Sequence, residues 1–276
     1  MHTGMWEHPA TQANIGLLVD RGVRLIGPVS GPLAHGDAGP GRLAEPEDIV
    51  RAAEDLAAHG RDLAGRRIIV TAGPTYEPID PVRFLGNRSS GRMGFAIAAE
   101  AWARGADVVV IAGPTTATEP PGPRIVRIET AEDLRDAVLE HLPGTDVLVM
   151  AAAVADFRPA RRAAEKVRRE AGVPELVLEP TPDVLREVAG RADRPLLVGF
   201  AAETEDPMGA GRRKLVAKGV DLLVANRVGR AGTGFGSETN DAAILAADGD
   251  DDALRTWTKT ALATALCDRI AKALAG

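Results

Sequence analysis

Residues 67–75 read Arg67-Ile68-Ile69-Val70-Thr71-Ala72-Gly73-Pro74-Thr75, an apolar run that stops at a Gly-Pro turn. Apolar residues in unbroken succession, rather than at every second position, mark a strand buried on both faces. Four more such runs follow, at Val108 to Ile111, Val147 to Val154, Leu196 to Phe200 and Leu222 to Ala225. Helical patterns separate them at about Gly94 to Arg104, Ala131 to His141, Pro182 to Val188 and Pro207 to Lys218. Such alternation builds a parallel sheet with helices on both sides, so the fold class is α/β: a doubly wound, mainly parallel, Rossmann-like sheet. The tail departs from it. Ala242 to Ala246 and Ala253 to Trp257 flank the acidic turn Asp248 to Asp252 as an antiparallel hairpin, and a last helix runs from about Thr258 to Leu274.

Upstream of Arg67 the composition changes. Residues 1 to about 45 hold Gly27-Pro28, Gly31-Pro32 and Gly39-Pro40-Gly41 around one short helix (Thr11 to Arg21) and one short strand (Val23 to Ile26), a short irregular segment with little core. A helix from about Pro46 to His59 leads out of it. The expected division is therefore residues 1–64 and residues 65–276.

The formal charge of −6 argues against a protein that coats nucleic acid. A single cysteine, Cys267, excludes a disulfide framework and a thiolate metal cluster, and as a member of an apolar helix face it reads as a buried hydrophobe. The longest apolar run, Val147 to Ala155, falls far short of the ~20 residues that span a bilayer. With the polar opening Met1 to His8 this gives the cytoplasm, and no membrane partner, as the expectation.

Ligands in open α/β sheets sit beyond the carboxyl ends of the strands. Gly86-Asn87-Arg88-Ser89-Ser90-Gly91-Arg92-Met93-Gly94 opens the helix after the first strand. Its Ser-Ser-Gly turn offers backbone N–H groups, two hydroxyls and a helix N-terminus to a phosphate, or equally a helix cap by Ser89 or Ser90. It is neither a Walker loop nor a G-x-G-x-x-G fingerprint. Met150-Ala151-Ala152-Ala153-Val154-Ala155-Asp156-Phe157 ends another strand with small residues, which let a planar base approach, and with a carboxylate suited to ribose, base, metal-nucleotide or a simple turn. Glu165-Lys166-Val167-Arg168-Arg169 reads first as a solvated face. Lys214 and Lys218, spaced i, i+4, share a helix face, where like charges cost a little unless an anion lies between them.

In order and spacing these stretches, with Gly73-Pro74-Thr75-Tyr76-Glu77-Pro78-Ile79-Asp80-Pro81-Val82-Arg83, Thr181-Pro182-Asp183, Gly199-Phe200-Ala201-Ala202-Glu203-Thr204 and Val224-Ala225-Asn226, resemble bacterial phosphopantothenoylcysteine synthetase. The likeness covers about Gly65 to Leu274. Ahead of it, Met5 to Asn14 and Gly31 to Pro46 look like the last third of phosphopantothenoylcysteine decarboxylase, the flavin domain fused to the synthetase in most bacteria. A loop that usually reads A-C-G-D is Ala34-His35-Gly36-Asp37 here. The chain is thus expected to be a synthetase preceded by the C-terminal remnant of a decarboxylase, with no flavin expected on this chain alone.

The resemblance implies a ligase that joins phosphopantothenate to cysteine through an acyl-cytidylate, using CTP and Mg²⁺ and releasing pyrophosphate, as a homodimer. It implies that Met150, Ala151, Ala152, Asp156 and Phe157 surround the cytidine, Asp156 also reaching the metal through the triphosphate. Thr181, Pro182 and Phe200 complete the base and ribose pocket, and Ser89, Ser90, Gly91, Lys214 and Lys218 face the phosphates. Lys166 serves the first half-reaction, Asn87 holds the acyl-cytidylate carbonyl, and Arg83 contacts substrate across a dimer interface. The rival readings are a nucleotide-dependent oxidoreductase and a non-catalytic subunit. The first needs an acidic residue after the second strand, where Ala112-Gly113-Pro114 stands instead; the second is disfavoured by retention of Asn87, Asp156, Lys166 and Lys214.

Overall fold

The computed structural model describes residues 1–20, 23, 25–33, 36, 38–50, 53, 61–168, 175–229, 237 and 239–275. The chain divides into two units, Met1–Asp62 and Leu63–Gly276.

In the first unit α1 (Thr3–Trp6) and α2 (Pro9–Asp20) precede a two-stranded antiparallel pair, β1 (Val29–Pro32) with β2 (Ala38–Arg42). The strand expected at Val23 to Ile26 is not formed at its described residues; pairing begins only after Gly27-Pro28. The expected helix over 46–59 is helical at 46–50 and then lies largely outside the described residues, as do Ala34, His35 and Asp37.

The second unit is built on an eight-stranded sheet. Its strands are β3 (Arg67–Ala72), β6 (Asp107–Ala112), β7 (Arg124–Arg127), β8 (Val147–Met150), β11 (Leu196–Glu203), β12 (Leu222–Arg227), β13 (Thr239–Ala246) and β14 (Arg255–Thr258), in the order β14-β13-β12-β11-β8-β3-β6-β7. Pairings from β12 to β7 are all parallel, whereas β12–β13 and β13–β14 are antiparallel. Two small hairpins stand off the sheet: β4 (Tyr76–Pro78) with β5 (Phe84–Gly86), and β9 (Phe157–Pro159) with β10 (Leu178–Pro180). Crossovers are made by α3 (Arg92–Ala103), α4 (Ala131–His141), α5 (Val184–Ala189) and α6 (Pro207–Lys218), and α7 (Lys259–Ala275) closes the chain.

Alternate residues of each central strand feed opposite cores. Ile68, Val70, Val149, Val224 and Ile244 pack with Ile97 of α3 and Leu262, Leu266 and Ile270 of α7. Ile69, Ile111, Leu148, Leu197 and Leu223 pack with Leu134 and Val138 of α4 and Leu215 of α6. Burial on both faces is why these strands lack alternation in sequence. The fold is the mixed α/β sheet expected. The apolar run expected as strand to Val154 stops at Met150. Past that point the backbone keeps a single parallel bridge, Ala153 with Pro74, and is otherwise held by Thr71 and Thr75, whose Oγ1 atoms accept from Ala152 N (3.0 Å) and Ala155 N (2.9 Å). Those two threonines turn the rest of the run into a cleft wall.

Candidate functional site

The carboxyl ends of β3, β8, β11 and β12 border a cleft of about 720 Å³. On the β3 side its wall is the start of α3. Gly91, at φ 75° in the left-handed region, is the N-cap, and no side chain caps it. The capping reading of Ser89 and Ser90 is thereby corrected: Ser89 Oγ accepts from Gly91 N at 3.3 Å, and Ser90 offers its carbonyl to Thr115 Oγ1 at 2.5 Å. A left-handed residue is needed where the chain passes from the strand loop into the helix, and only glycine takes that conformation without strain. Asn87 stands at the rim, its Nδ2 donating to Val154 O at 2.7 Å.

The floor is the backbone of Met150, Ala151 and Ala152 with Asp156 and Phe157, all on the cleft. Asp156 is exposed there and Phe157 keeps half of its surface accessible. Thr181 ties the opposite wall to this floor through Oγ1 to Ala155 O (2.6 Å) and its N–H to Asp156 O (3.1 Å), and Pro182 and Phe200 line the cleft beside it. Lys214 and Lys218 also line it, but not as a bare pair of like charges. Lys214 Nζ lies 2.7 Å from Glu203 Oε1, and Lys218 is ion-paired with Asp183. The carboxylates remove the repulsion that the i, i+4 spacing alone implies.

Arg83 and Lys166 are not on the cleft in this chain. Arg83 Nη1 lies 3.2 Å from Asp80 Oδ2 and donates to Val167 O at 3.1 Å. Asp80 is buried and accepts from the N–H groups of Val82 (2.7 Å), Arg83 (2.8 Å) and Val167 (3.1 Å). Burial by itself would raise the Asp80 pKa; those three donors, with the Arg83 charge, outweigh it and hold the carboxyl below its ordinary value. Asp80 thus anchors the segment that carries Lys166, which is exposed beside it. Arg169 lies outside the described residues.

Among the described residues no group of three His, Cys, Asp or Glu side chains is placed to hold a metal. Asp183 and Glu203 are engaged by lysines, which leaves Asp156 as the cleft carboxylate that fits a cation brought in by a ligand's own oxygens. Cys267 is fully buried in α7, and desolvation pushes its thiol pKa up, which suits a packing role. Three residues on the far wall, Asn226, Asn240 and Lys259, did not stand out from the sequence as site residues, Asn226 entering only within a motif. A polar residue closing an apolar strand, as Asn226 does, was the available signal.

The family model for the DNA/pantothenate metabolism flavoprotein C-terminal domain matches residues 63–274, and a Flavoprotein model matches residues 1–57. The chain belongs to the family of the DNA/pantothenate metabolism flavoprotein C-terminal domain. The coenzyme A biosynthesis bifunctional protein CoaBC of Mycobacterium tuberculosis is 48% identical over 292 residues, spanning 100% of this chain and 70% of that protein. A crystal structure of the C-terminal domain of a CoaBC protein aligns with a TM-score of 0.66 and 36% identity, covering 78% of this chain and 98% of that one. A histidine-to-alanine variant of Cab2, solved in complex with phosphopantothenate-cysteine, has the same fold at a TM-score of 0.61 and 17% identity, covering 84% and 96%.

These matches correct the resemblance as drawn from the motifs. In place of a synthetase preceded by a decarboxylase remnant, they give two family segments in tandem, Flavoprotein over 1–57 and the pantothenate-metabolism domain over 63–274, as parts of one bifunctional family. The physical counterpart is that the first 62 residues form a compact unit with their own hairpin. Membership makes the chain a ligase of coenzyme A biosynthesis.

Proposed function

We propose that the cleft joins phosphopantothenate to cysteine in two steps, using CTP. A carboxylate oxygen of phosphopantothenate attacks the α-phosphorus of CTP. The bond to the β-phosphate breaks, pyrophosphate leaves, and an acyl-cytidylate remains. The cysteine amine then attacks the acyl carbonyl, loses a proton, and cytidine monophosphate departs as the amide forms. A carboxylate approaching a triphosphate is repelled, so neutralisation of charge matters more here than acid or base chemistry.

The observation that carries this reading is one cleft that combines an uncapped helix start at Gly91, a floor of small residues ending in Asp156, and Lys214 with Lys218. Ala151 and Ala152 leave room for a planar base against the backbone, with Thr181, Pro182 and Phe200 closing over base and ribose. Ser89, Ser90 and Gly91 present the helix N-terminus to phosphate, and the two lysines exchange their carboxylate partners for it. Asn87 offers an amide donor to the acyl carbonyl. Mg²⁺, when bound with the triphosphate, supplies further neutralisation, and Asp156 would hold it. Lys166, at the end of the Asp80-anchored segment, and Arg83 reach the reacting groups of a second copy in a homodimer. The cytoplasm is the compartment in which the reading places the protein; no helix among the described residues is long and apolar enough to cross a membrane.

A coupled assay of pyrophosphate release with phosphopantothenate tests the reading by comparing CTP with ATP. Faster turnover with CTP is expected. Equal or faster turnover with ATP would overturn the assignment.

A further inference from the structure

The stretch Gly73 to Arg83 contains a side chain that lies behind the cleft and still holds part of its surface. Thr75 is fully buried, and its Oγ1 accepts from Ala155 N at 2.9 Å. That N–H belongs to the same peptide group as the Val154 carbonyl, and Val154 O accepts from Asn87 Nδ2 at 2.7 Å. A trans peptide is planar, with its N–H and C=O directed to opposite sides, so fixing one fixes the other. The Thr75 hydroxyl and the Asn87 amide therefore grip one rigid unit by its two polar groups, and polarisation through the peptide strengthens both bonds together. Because Val154 O can only accept, the Asn87 nitrogen must face it. One N–H of that amide is spent on this bond. The other is the donor assigned above to the acyl carbonyl.

Neighbouring bonds hold other peptide planes. Ala153 N donates to Gly73 O at 2.9 Å, Ala152 N to Thr71 Oγ1 at 3.0 Å, and Ala155 O accepts from Thr181 Oγ1 at 2.6 Å. Rotation of the Val154–Ala155 plane itself is left to Thr75. Thr75 is in turn firmly seated. Tyr76 N donates to Glu129 O at 2.8 Å, the Tyr76 ring stacks on Phe84 with 3.7 Å between centroids, and the hairpin register sets Tyr76 opposite Gly86. Thr75 and Asn87 flank that pair, one entering β4 and the other leaving β5, so a single hairpin end carries both partners of the peptide. Without the hydroxyl a buried N–H loses its acceptor, and the peptide regains the freedom to turn its carbonyl away from Asn87.

We infer that Thr75 is a positioning residue for amide formation, its hydroxyl aiming Asn87 through the Val154–Ala155 peptide. This rests on the role given to Asn87 above. Rates of pyrophosphate release and of amide formation are measured separately in single turnovers of the full chain. Its four asparagines are isotopically labelled, and the side-chain amide signals of Asn87, assigned by their loss in Asn87→Asp, are followed by NMR. Thr75→Val keeps the shape and removes the acceptor. It is expected to slow amide formation about tenfold, to leave pyrophosphate release within about threefold of the parent, and to move the Asn87 signals. Thr75→Ser keeps the hydroxyl and restores both. Thr71→Val removes the comparable bond at Ala152 N, and it should lower Tm similarly with the ratio of the two rates and the Asn87 signals as in the parent. If Thr75→Val does not fold, Thr75→Cys, a weaker acceptor of similar size, takes its place with the same direction expected. An unchanged ratio of the two rates, or the same loss in Thr71→Val, would overturn the inference. Should Asn87→Asp form amide at the parent rate, the role given to Asn87 fails instead; Asn87 signals that move in Thr75→Val then still uphold the aiming, and signals that stay overturn it.

Discussion

Replacing Gly94 by alanine tests how closely the site depends on the seating of α3. An added Cβ at Gly94 would lie 2.7 Å from Ala72 Cβ, 2.8 Å from Thr71 O and 3.0 Å from Ala72 Cα. Ordinary carbon contacts stand at about 3.5–4.0 Å, so the helix must withdraw from β3 by roughly 0.8 Å. The strand will not yield instead, because β3 is paired on both sides, to β6 and β8. Alanine favours a helix interior over glycine by about 1 kcal/mol, while overpacking of this kind costs about 1–3 kcal/mol. With strand backbone among the obstacles the upper part of that range applies, leaving a net loss of about 1–2 kcal/mol, or a Tm lower by about 3–6 °C. Withdrawal of α3 also moves Ser90 and Gly91, and misplacement approaching 1 Å is expected to lower kcat/KM by about tenfold to a hundredfold. The measurements are thermal unfolding and pyrophosphate release on the same preparations. Gly16→Ala, on an exposed face of α2 with nothing within 4 Å of the new Cβ, serves as the comparison in which propensity alone acts. A raised Tm with unaltered kcat/KM for Gly94→Ala would refute the steric reasoning.

Other perturbations separate the remaining parts. Asn87→Asp should still release pyrophosphate but form little amide, because it loses a donor to the acyl carbonyl, whereas Lys166→Gln should block acyl-cytidylate formation; mass spectrometry of quenched reactions distinguishes them, and identical behaviour contradicts the division of roles. Asp80 has a folded pKa below its ordinary 3.8, so its contribution to stability is complete above that value and lost as pH falls through the lowered one. Asp80→Asn should therefore destabilise at pH 7 and differ progressively less from the parent as acid denaturation is approached, and a gap constant with pH would show that the carboxylate charge is not responsible. The 276-residue polypeptide should purify without flavin absorbance, because Leu17, Leu18, Leu25 and Leu43 of its first unit stand exposed rather than packed around an aromatic ring system, and a yellow preparation would contradict this.

Much of the sheet was legible because strands buried on both faces announce themselves as unbroken apolar runs, as Ile68 to Val70 and Leu222 to Ala225 do. The same signal overreads where the residues are small: Ala151 to Val154 is as apolar as a strand, yet it keeps one bridge, Ala153 to Pro74, while the Thr71 and Thr75 hydroxyls take the N–H groups of Ala152 and Ala155. It underreads at an edge, where β7 is four residues with arginine at each end and only Ile125 and Val126 partly buried. The cleft's near wall was legible because its residues are contiguous, from Asn87 to Gly94 and from Met150 to Phe157. The far wall was not, since Asn240 and Lys259 acquire a relation to Asn226 only through antiparallel pairing and the turn into α7. Arg83 and Lys166 matched a motif, but Asp80 gathers them into a separate anchored segment off this chain's cleft.

The return of α7 to the carboxyl edge has a consequence for synthesis of the chain. Ser89 and Lys259 border one cleft, yet 170 residues separate them in sequence. A polypeptide emerging from the ribosome can complete β3 and α3 early, but the cleft lacks a wall until the final helix is released. On the nucleotide reading proposed above, binding is therefore withheld from the nascent chain, and a truncation that removes α7 should lose both that wall and the cover that Leu262, Leu266 and Ile270 give to Ile68, Val70 and Val224, so that the sheet itself is destabilised.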